Sequence, residues 1–470
     1  MSTTFRDAYA GAADAETFPV AAADGSDLNL EYVAPEATAG PETAVEDLVS
    51  VFRTAQLSDP TYLQAQANLN AVMENVVQAR GNMYRPVIGI AGAGSKNRQD
   101  IEAAFGNSGR SKFKSRSLSI NMTQPVFYFD RYLRIDQSDQ QVVQAEVQVS
   151  SALQNLMLQV AQRYFDILGA RDNLRFAEAE KRSLKEQLEQ TEQRFEVGLT
   201  AITDVQEARA GYDRAAADVI VAANEVENAI EALRESTGVY YDNLEILNEK
   251  IPLEVPEPAD VDQWSSLAQR QNLDVTAAQI GAEIAEQEIG IQQAGRLPTL
   301  DLVGSYGHRR SGGQFGDNTV NAGSIGMELN IPLYSAGQVS SRSRQARHRH
   351  NEALAQLDGA RRAALRQARQ AYLGVVADIS SIRALEQAVV SSKTALESIQ
   401  AGFEVGTRTA VDVVIAERTL LQSRRDLARA RYTYILDVLQ LKQAAGTLSP
   451  EDLALANEWL EAKSTQDANS

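Results

Sequence analysis

Gly92-Ala93-Gly94-Ser95-Lys96 has the small residues and terminal lysine of a loop that cradles phosphate with backbone N–H groups. It lacks the full glycine-to-lysine spacing of such loops and precedes no clear helix. Small residues in a β-strand account for it better. His348 and His350, with His308, are the chain's three histidines. On a helix, positions i and i+2 face apart, so the two imidazoles of His348-Arg349-His350 do not converge on one metal. No cysteine is present, which excludes a disulfide frame, a zinc–thiolate site and a thiol nucleophile. No set of nucleophile, base and orienting group is visible, so the expectation is a protein without catalysis, metal or cofactor. The remaining cluster is basic: Lys96 to Arg116 is rich in Lys and Arg and reads as a polar loop.

The 470 residues carry a formal net charge of -18, which argues against a nucleic-acid partner, because phosphate binding is driven by Lys and Arg. A hydrophobic fraction of 44% suffices for a core, and long stretches of Ala, Gln, Leu, Arg and Glu favour long helices. No apolar run reaches the roughly 18 residues of a membrane-crossing helix. Barrel strands alternate and leave only a weak hydropathy signal, so a β-barrel stays open. Residues 1–44 read as an acidic, disordered arm with one base, Arg6. With neither a basic nor an apolar region, the arm does not read as a secretory leader, and it does not itself support export.

A repeat organises the rest. Phe195-Glu196-Val197-Gly198 recurs as Phe403-Glu404-Val405-Gly406, 208 residues later, and Asp204, Ala208, Leu233 and Gly238 match Asp412, Ala416, Leu441 and Gly446 at the same offset. The expected organisation is a first unit over 45–238, a proline-bearing equatorial linker over 239–261, a second unit over 262–446, and a C-terminal segment and tail over 447–470. Each unit reads as a helix (about 45–81, then 262–295), two strands, and a long helical hairpin. In the first helix, Ser58-Asp59-Pro60 reads as a cap and restart. No proline falls between Pro125 and Pro252 or between Pro332 and Pro450, so about 131–195 and 338–403 form rods of roughly 100 Å. Gly198 and Gly406 mark the tips where each rod turns back. Helices of this length need coiled-coil neighbours.

Leu118, Ile120 and Met122 alternate with Ser117, Ser119 and Asn121, as Ile325, Met327 and Leu329 do with Ser324, Gly326 and Glu328. Alternation fits a membrane barrel, lipid outside and water inside, and equally a soluble half-buried sheet. Four strands per chain cannot close a barrel, and lipid forbids open edges, so a barrel calls for several chains. Three copies would supply twelve strands.

Residues 193–206, with Gln193-Arg194-Phe195-Glu196-Val197-Gly198 at their head, resemble the first helix turn of TolC-type outer-membrane efflux proteins. Gly402-Phe403-Glu404-Val405-Gly406-Thr407-Arg408-Thr409 resembles the second turn. Leu57-Ser58-Asp59-Pro60, residues 297–302, Arg429-Ala430-Arg431-Tyr432 and Ala445-Gly446-Thr447-Leu448 extend the likeness over about residues 45–460. The resemblance implies an α+β membrane protein: a homotrimer whose twelve-stranded barrel sits among outer-membrane lipid and continues as a helical barrel across the periplasm. It implies an exit duct for tripartite drug efflux or type I secretion, with a periplasmic adaptor and an inner-membrane pump as partners. It makes Arg408 a gate arginine, with Thr203 and Asp204 as its partners from the first turn, and Asp412 an acidic ring at the pore. Phe403 stands where the family often has Tyr, removing a hydroxyl from the latch, and Ile415 stands where a second ring Asp can occur. Without the resemblance, Arg408 reads as one partner of a surface ion pair tightening a turn, and Asp412 as a helix N-terminal acid favoured by the dipole. On the barrel reading Lys96–Arg116 faces outside, next to anionic lipopolysaccharide; a solvated loop is the other reading. A soluble coiled-coil scaffold is the alternative for the chain as a whole.

Overall fold

The computed structural model describes residues 45–101, 109–248, 250–312 and 317–461; the acidic arm expected over 1–44 and the polar tail beyond 461 lie outside the described residues. The first half runs α1 (Leu48–Ser58), α2 (Pro60–Tyr84), β1 (Val87–Ile101), β2 (Gly109–Phe127), α3 (Phe129–Glu196) and α4 (Ile202–Thr237). A short strand, β3 (Ile246–Leu247), lies in the connection. The second half repeats the order as α5 (Val261–Gln271), α6 (Leu273–Ala294), β4 (Thr299–Ser311), β5 (Asn318–Asn330), α7 (Gln338–Glu404) and α8 (Ala410–Ala445). It closes with α9 (Pro450–Asn457) and β6 (Leu460–Glu461).

The leading helix of each half is broken once. Asp59 leaves the helical region at φ -64° and ψ 120°, and its side chain accepts from the Tyr62 N–H at 2.9 Å. Pro60 then fills the first helical position, where its missing N–H costs nothing. The second half breaks at Asn272 without a proline, a break the sequence reading runs through. Asn272 Oδ1 accepts from the N–H groups of Asp274 (3.0 Å) and Val275 (3.1 Å), and its amide donates to the Ala444 carbonyl at 3.0 Å. One buried side chain thus starts α6 and ties it to the root of α8.

The rods α3 and α7 have 68 and 67 residues, roughly 100 Å each at the helical rise. They hold their partners through heptad seams. Ala208, Ala215 and Ala222 are buried at seven-residue steps along α4, and Ala364, Ala368, Ala371, Val375, Ile379 and Ile382 step by three and four along α7. At the hairpin roots the seams merge into the main core, around Leu156, Tyr164, Phe165, Ile230, Leu233, Ile382, Ile435 and Leu453. The connection and the C-terminal segment belt this core. β3 pairs with β6, and Glu46 bridges to Leu244. Tyr164, fully buried, donates its hydroxyl to the Glu245 carbonyl at 2.9 Å, so burial pushes its ionisation far above the usual range.

The four long strands make one antiparallel sheet in the order β1-β2-β4-β5. β1 and β5 each keep an edge without a strand partner among the described residues. Ile90 pairs with Ile120, Ile120 with Tyr306, and Gly304 with Ile325, placing the apolar side chains on one face. Those side chains stand exposed: Ile90 72%, Ile325 76%, Met327 70%. Serines occupy the other face and bond across strands, Ser95 to Ser115 at 2.7 Å and Ser305 to Ser324 at 2.9 Å. Pro125 sits where the β2–β4 register shifts, a position that tolerates a missing donor. The polar loop expected over Lys96–Arg116 is corrected. β1 continues to Ile101 and β2 begins at Gly109, so most of that stretch is paired ladder and only 102–108 lies outside the described residues. Backbone pairing satisfies N–H and C=O whatever the side chain, so a charged run does not end a hairpin.

Asn272→Ala removes a cap and a buried cross-link together. We expect it to cost about 2 kcal/mol of stability in denaturant unfolding. An unchanged midpoint would remove Asn272 from the interactions that hold the break.

Candidate functional site

The two hairpin tips are built by the same backbone device. Gly198 (φ 78°) and Gly406 (φ 77°) occupy the left-handed region that favours glycine and reverse the chain. The N–H of Leu199 then returns to the Arg194 carbonyl at 2.8 Å, and that of Thr407 to the Gly402 carbonyl at 2.8 Å. Each following helix starts with a carboxylate three residues past its N-cap. At the second tip the capping box is complete: the Asp412 carboxylate accepts from the Thr409 N–H (2.9 Å) and hydroxyl (2.8 Å), and the Asp412 N–H donates to Thr409 Oγ1 at 3.2 Å. At the first tip Ala201 is the N-cap and offers no hydroxyl. The Asp204 carboxylate accepts instead from the hydroxyl of Thr200, with the Ala201 N–H and the Thr203 hydroxyl at 3.4 Å each.

These bonds set the charge of the tips. The Thr200 hydroxyl, then the Ala201 N–H, hold Asp204 below the ordinary carboxylate range. The Thr409 N–H, then its hydroxyl, do the same for Asp412, with the nearby Arg408 charge adding to the effect. Both acids therefore stay ionised into mildly acidic solution.

The tips differ in where each carries its base. Position 402 is glycine in the second copy and Arg194 in the first; position 408 is Arg408 in the second copy and Thr200 in the first. A Cβ at Gly402 would meet Arg408 Cγ at 2.8 Å and Thr407 Oγ1 at 3.2 Å. The glycine makes room for the arginine stem to lie back over the helix end. Arg408 is exposed and makes no ion pair among the described residues of one chain. Thr203 and Asp204 are exposed, while Phe403 and Asp412 are half-buried. One chain brings Arg408 close to Asp412 and does not bring it to Asp204 or Thr203. Behind the tips the hairpins are joined by Arg418 to Glu180 (2.9 Å) and Ser183 to Glu417 (2.6 Å).

Other candidates resolve as scaffold. Gly92–Lys96 lies inside β1. The His350 ring lies 3.2 Å from the Ala282 carbonyl on α6, while His348 is exposed on α7.

A second polar feature escaped the sequence reading. Asp378 on α7 faces Asp437 on α8, whose carboxylate packs over Gly374. Asp378 Oδ2 is buried with no hydrogen-bond partner among the described residues. Burial, then the Asp437 charge, push Asp378 up to about 6; burial raises Asp437 as well. At the repeat offset these acids replace Ala170 and Ala229, a signal the sequence did carry.

Residues 51–239 and 264–447 match the family described as outer membrane efflux protein. The chain is 38% identical over 419 residues to the outer membrane protein TolC of Vibrio cholerae, covering 88% of this chain and 94% of that relative. It is 29% identical over 343 residues to the alkaline protease secretion protein AprF of Pseudomonas aeruginosa, covering 72% and 71% of the two chains. The crystal structure of the Campylobacter jejuni CmeC outer membrane channel shares the fold at a TM-score of 0.74 and 17% identity, over 95% of this chain and 98% of that one.

The Asp378–Asp437 pair generates a pH prediction. A carboxyl whose folded pKa is raised costs stability when ionised: the penalty is absent below the ordinary value of 3.8, grows as pH rises from there to about 6, and is complete above that. Asp378→Asn should therefore add about 1 kcal/mol of stability at pH 7.5, after discounting for solvent screening, read as a higher thermal midpoint, and should leave the midpoint unchanged below about pH 3.5. A gain of equal size at both pH values would show that the two acids do not repel.

Proposed function

The chain belongs to the outer membrane efflux protein family, and from that membership we propose how its single-chain geometry makes a gated duct. The protein is an outer-membrane exit duct for efflux and type I secretion. Three copies close a twelve-stranded barrel. The observation that supports this most directly is the sheet of four strands whose β1 and β5 edges have no strand partner among the described residues, with an exposed apolar face. Hydrocarbon gives an unpaired edge no partner, so neighbouring copies must supply it. A soluble scaffold would leave the same apolar face in water without a reason. Below the barrel, the paired rods of three chains form a helical barrel, and its seams continue those within each chain. A periplasmic adaptor and an inner-membrane pump complete the path, and the pump supplies the energy.

The hairpin tips are the gate. Arg408 reaches from the second tip to Asp204 and Thr203 of a first tip, with Phe403 packing beside it. Asp204 is already held charged and in place by Thr200 and Ala201, which suits an acceptor for a two-pronged guanidinium. Exposed pairs of this kind are worth about 1 kcal/mol or less each, weak enough for a docking partner to release. Asp412 rings the pore. Its Thr409 bonds favour the charged form, while two like carboxylates across the axis oppose it, so the ring binds cations more readily than three isolated acids would.

Arg408→Ser removes the latch and leaves the turn intact. In planar bilayers the open population should rise at least roughly fivefold, since every copy loses a pair worth about 1 kcal/mol and fivefold is the gain from one pair alone. Gly402→Ala should act in the same direction, because its methyl displaces the arginine stem. Arg194→Ser, at the matching place in the first turn, should change nothing. Unchanged conductance in Arg408→Ser would overturn the latch.

A further inference from the structure

The sheet register carries more than a lipid-facing band. Along β2 the apolar face runs through Met122, Ile120 and Leu118, and the same face continues upward through Arg116, Lys114, Lys112 and Arg110. Residues that pair across a ladder share a face. Lys96 pairs with Lys114, Arg98 with Lys112, and on the other side Arg310 of β4 with Arg116. Seven bases therefore stand together above the apolar band, all exposed. Two are neutralised locally, Arg110 by Asp100 at 2.7 Å and Arg310 by Asp317 at 3.0 Å. Lys96, Lys112, Lys114 and Arg116 make no ion pair among the described residues. In a chain of net charge -18 this concentration of bases runs against the average. The opposite face at the same height is mostly neutral: Ser95, Asn97, Ser115 and Ser117.

We propose that this basic collar binds the phosphates of lipopolysaccharide in the outer leaflet. The proposal rests on the exit-duct reading, which puts the strand ends farthest from the helices outside the cell. The rows from Arg116 to Lys112 span roughly 13 Å along the strand. That is deeper than the roughly 6 Å interfacial layer of an ordinary phospholipid leaflet. It suits a glycolipid that carries phosphates at several levels above its acyl chains. Long Lys and Arg stems can lie along the apolar surface while their charged ends reach those phosphates. Each cation near an anionic membrane surface adds about a fivefold gain in binding.

The test uses the full chain purified in detergent and titrated with fluorescent lipid A carrying both of its phosphates, or with the same lipid dephosphorylated. The unaltered protein should bind the phosphorylated lipid at least about tenfold more tightly, with a difference that shrinks as salt rises. The combined variant Lys112→Gln, Lys114→Gln and Arg116→Gln should lose that difference. Equal binding of the two lipids by the unaltered protein overturns the proposal without recourse to any variant. So does a variant that folds, enters the membrane fraction and still discriminates between them. Single-channel conductance of the unaltered protein is recorded in parallel. Its absence would sink the exit-duct reading, and its presence alongside equal lipid binding would sink the collar alone.

Discussion

An unpaired β-strand edge has nowhere to go in hydrocarbon. Each exposed N–H or C=O there costs several kcal/mol, and among the described residues one edge of β1 and one of β5 have no strand partner. The outward side chains of the same sheet are Ile, Leu and Met, so its apolar face cannot be returned to water cheaply either. The proposal that several copies share one barrel follows from these two demands. It also sets what the helices must do: once the strands of separate copies are joined edge to edge, the rods beneath them are brought side by side.

The belt at the hairpin roots is what lets one chain serve both regimes. The strands at one end are held by ladders; the rods run from them through the belt and are held beyond it by heptad packing. Tyr164, Asn272 and the β3–β6 pair tie the two halves, the connection and the C-terminal segment into one core. The long helices are anchored at their roots and joined near the tips by exposed contacts such as Arg418–Glu180.

Duplication built the scaffold, and divergence between the copies carries the specialised features. The turn glycines Gly198 and Gly406 and the acids Asp204 and Asp412 are shared. Arg408 has no counterpart in the first tip, where Thr200 stands, and the space it needs is given by Gly402, where the first copy has Arg194. Asp378 and Asp437 likewise replace two alanines and introduce a repelling pair into one hairpin only.

Local pattern determined a good deal by itself. The proline-free rods, the tip glycines, the Asp59–Pro60 restart and the alternating strands around Leu118 and Ile325 are all set by neighbours within a few positions, and the 208-residue offset by comparing the chain with itself, so they are legible along the chain. Tertiary structure alone decided the rest. The break at Asn272 depends on the Ala444 carbonyl, 172 residues away, and no proline announces it. Residues 96–101 and 109–116 are ladder because β1 and β2 pair along them. Arg310 joins the collar only because β4 pairs with β2. Asp378 meets Asp437 only because α7 folds back on α8. In each case the deciding energy is a hydrogen bond, a strand register or a charge repulsion between residues far apart in sequence. A linear pattern shows which faces a segment has; it does not show what those faces meet.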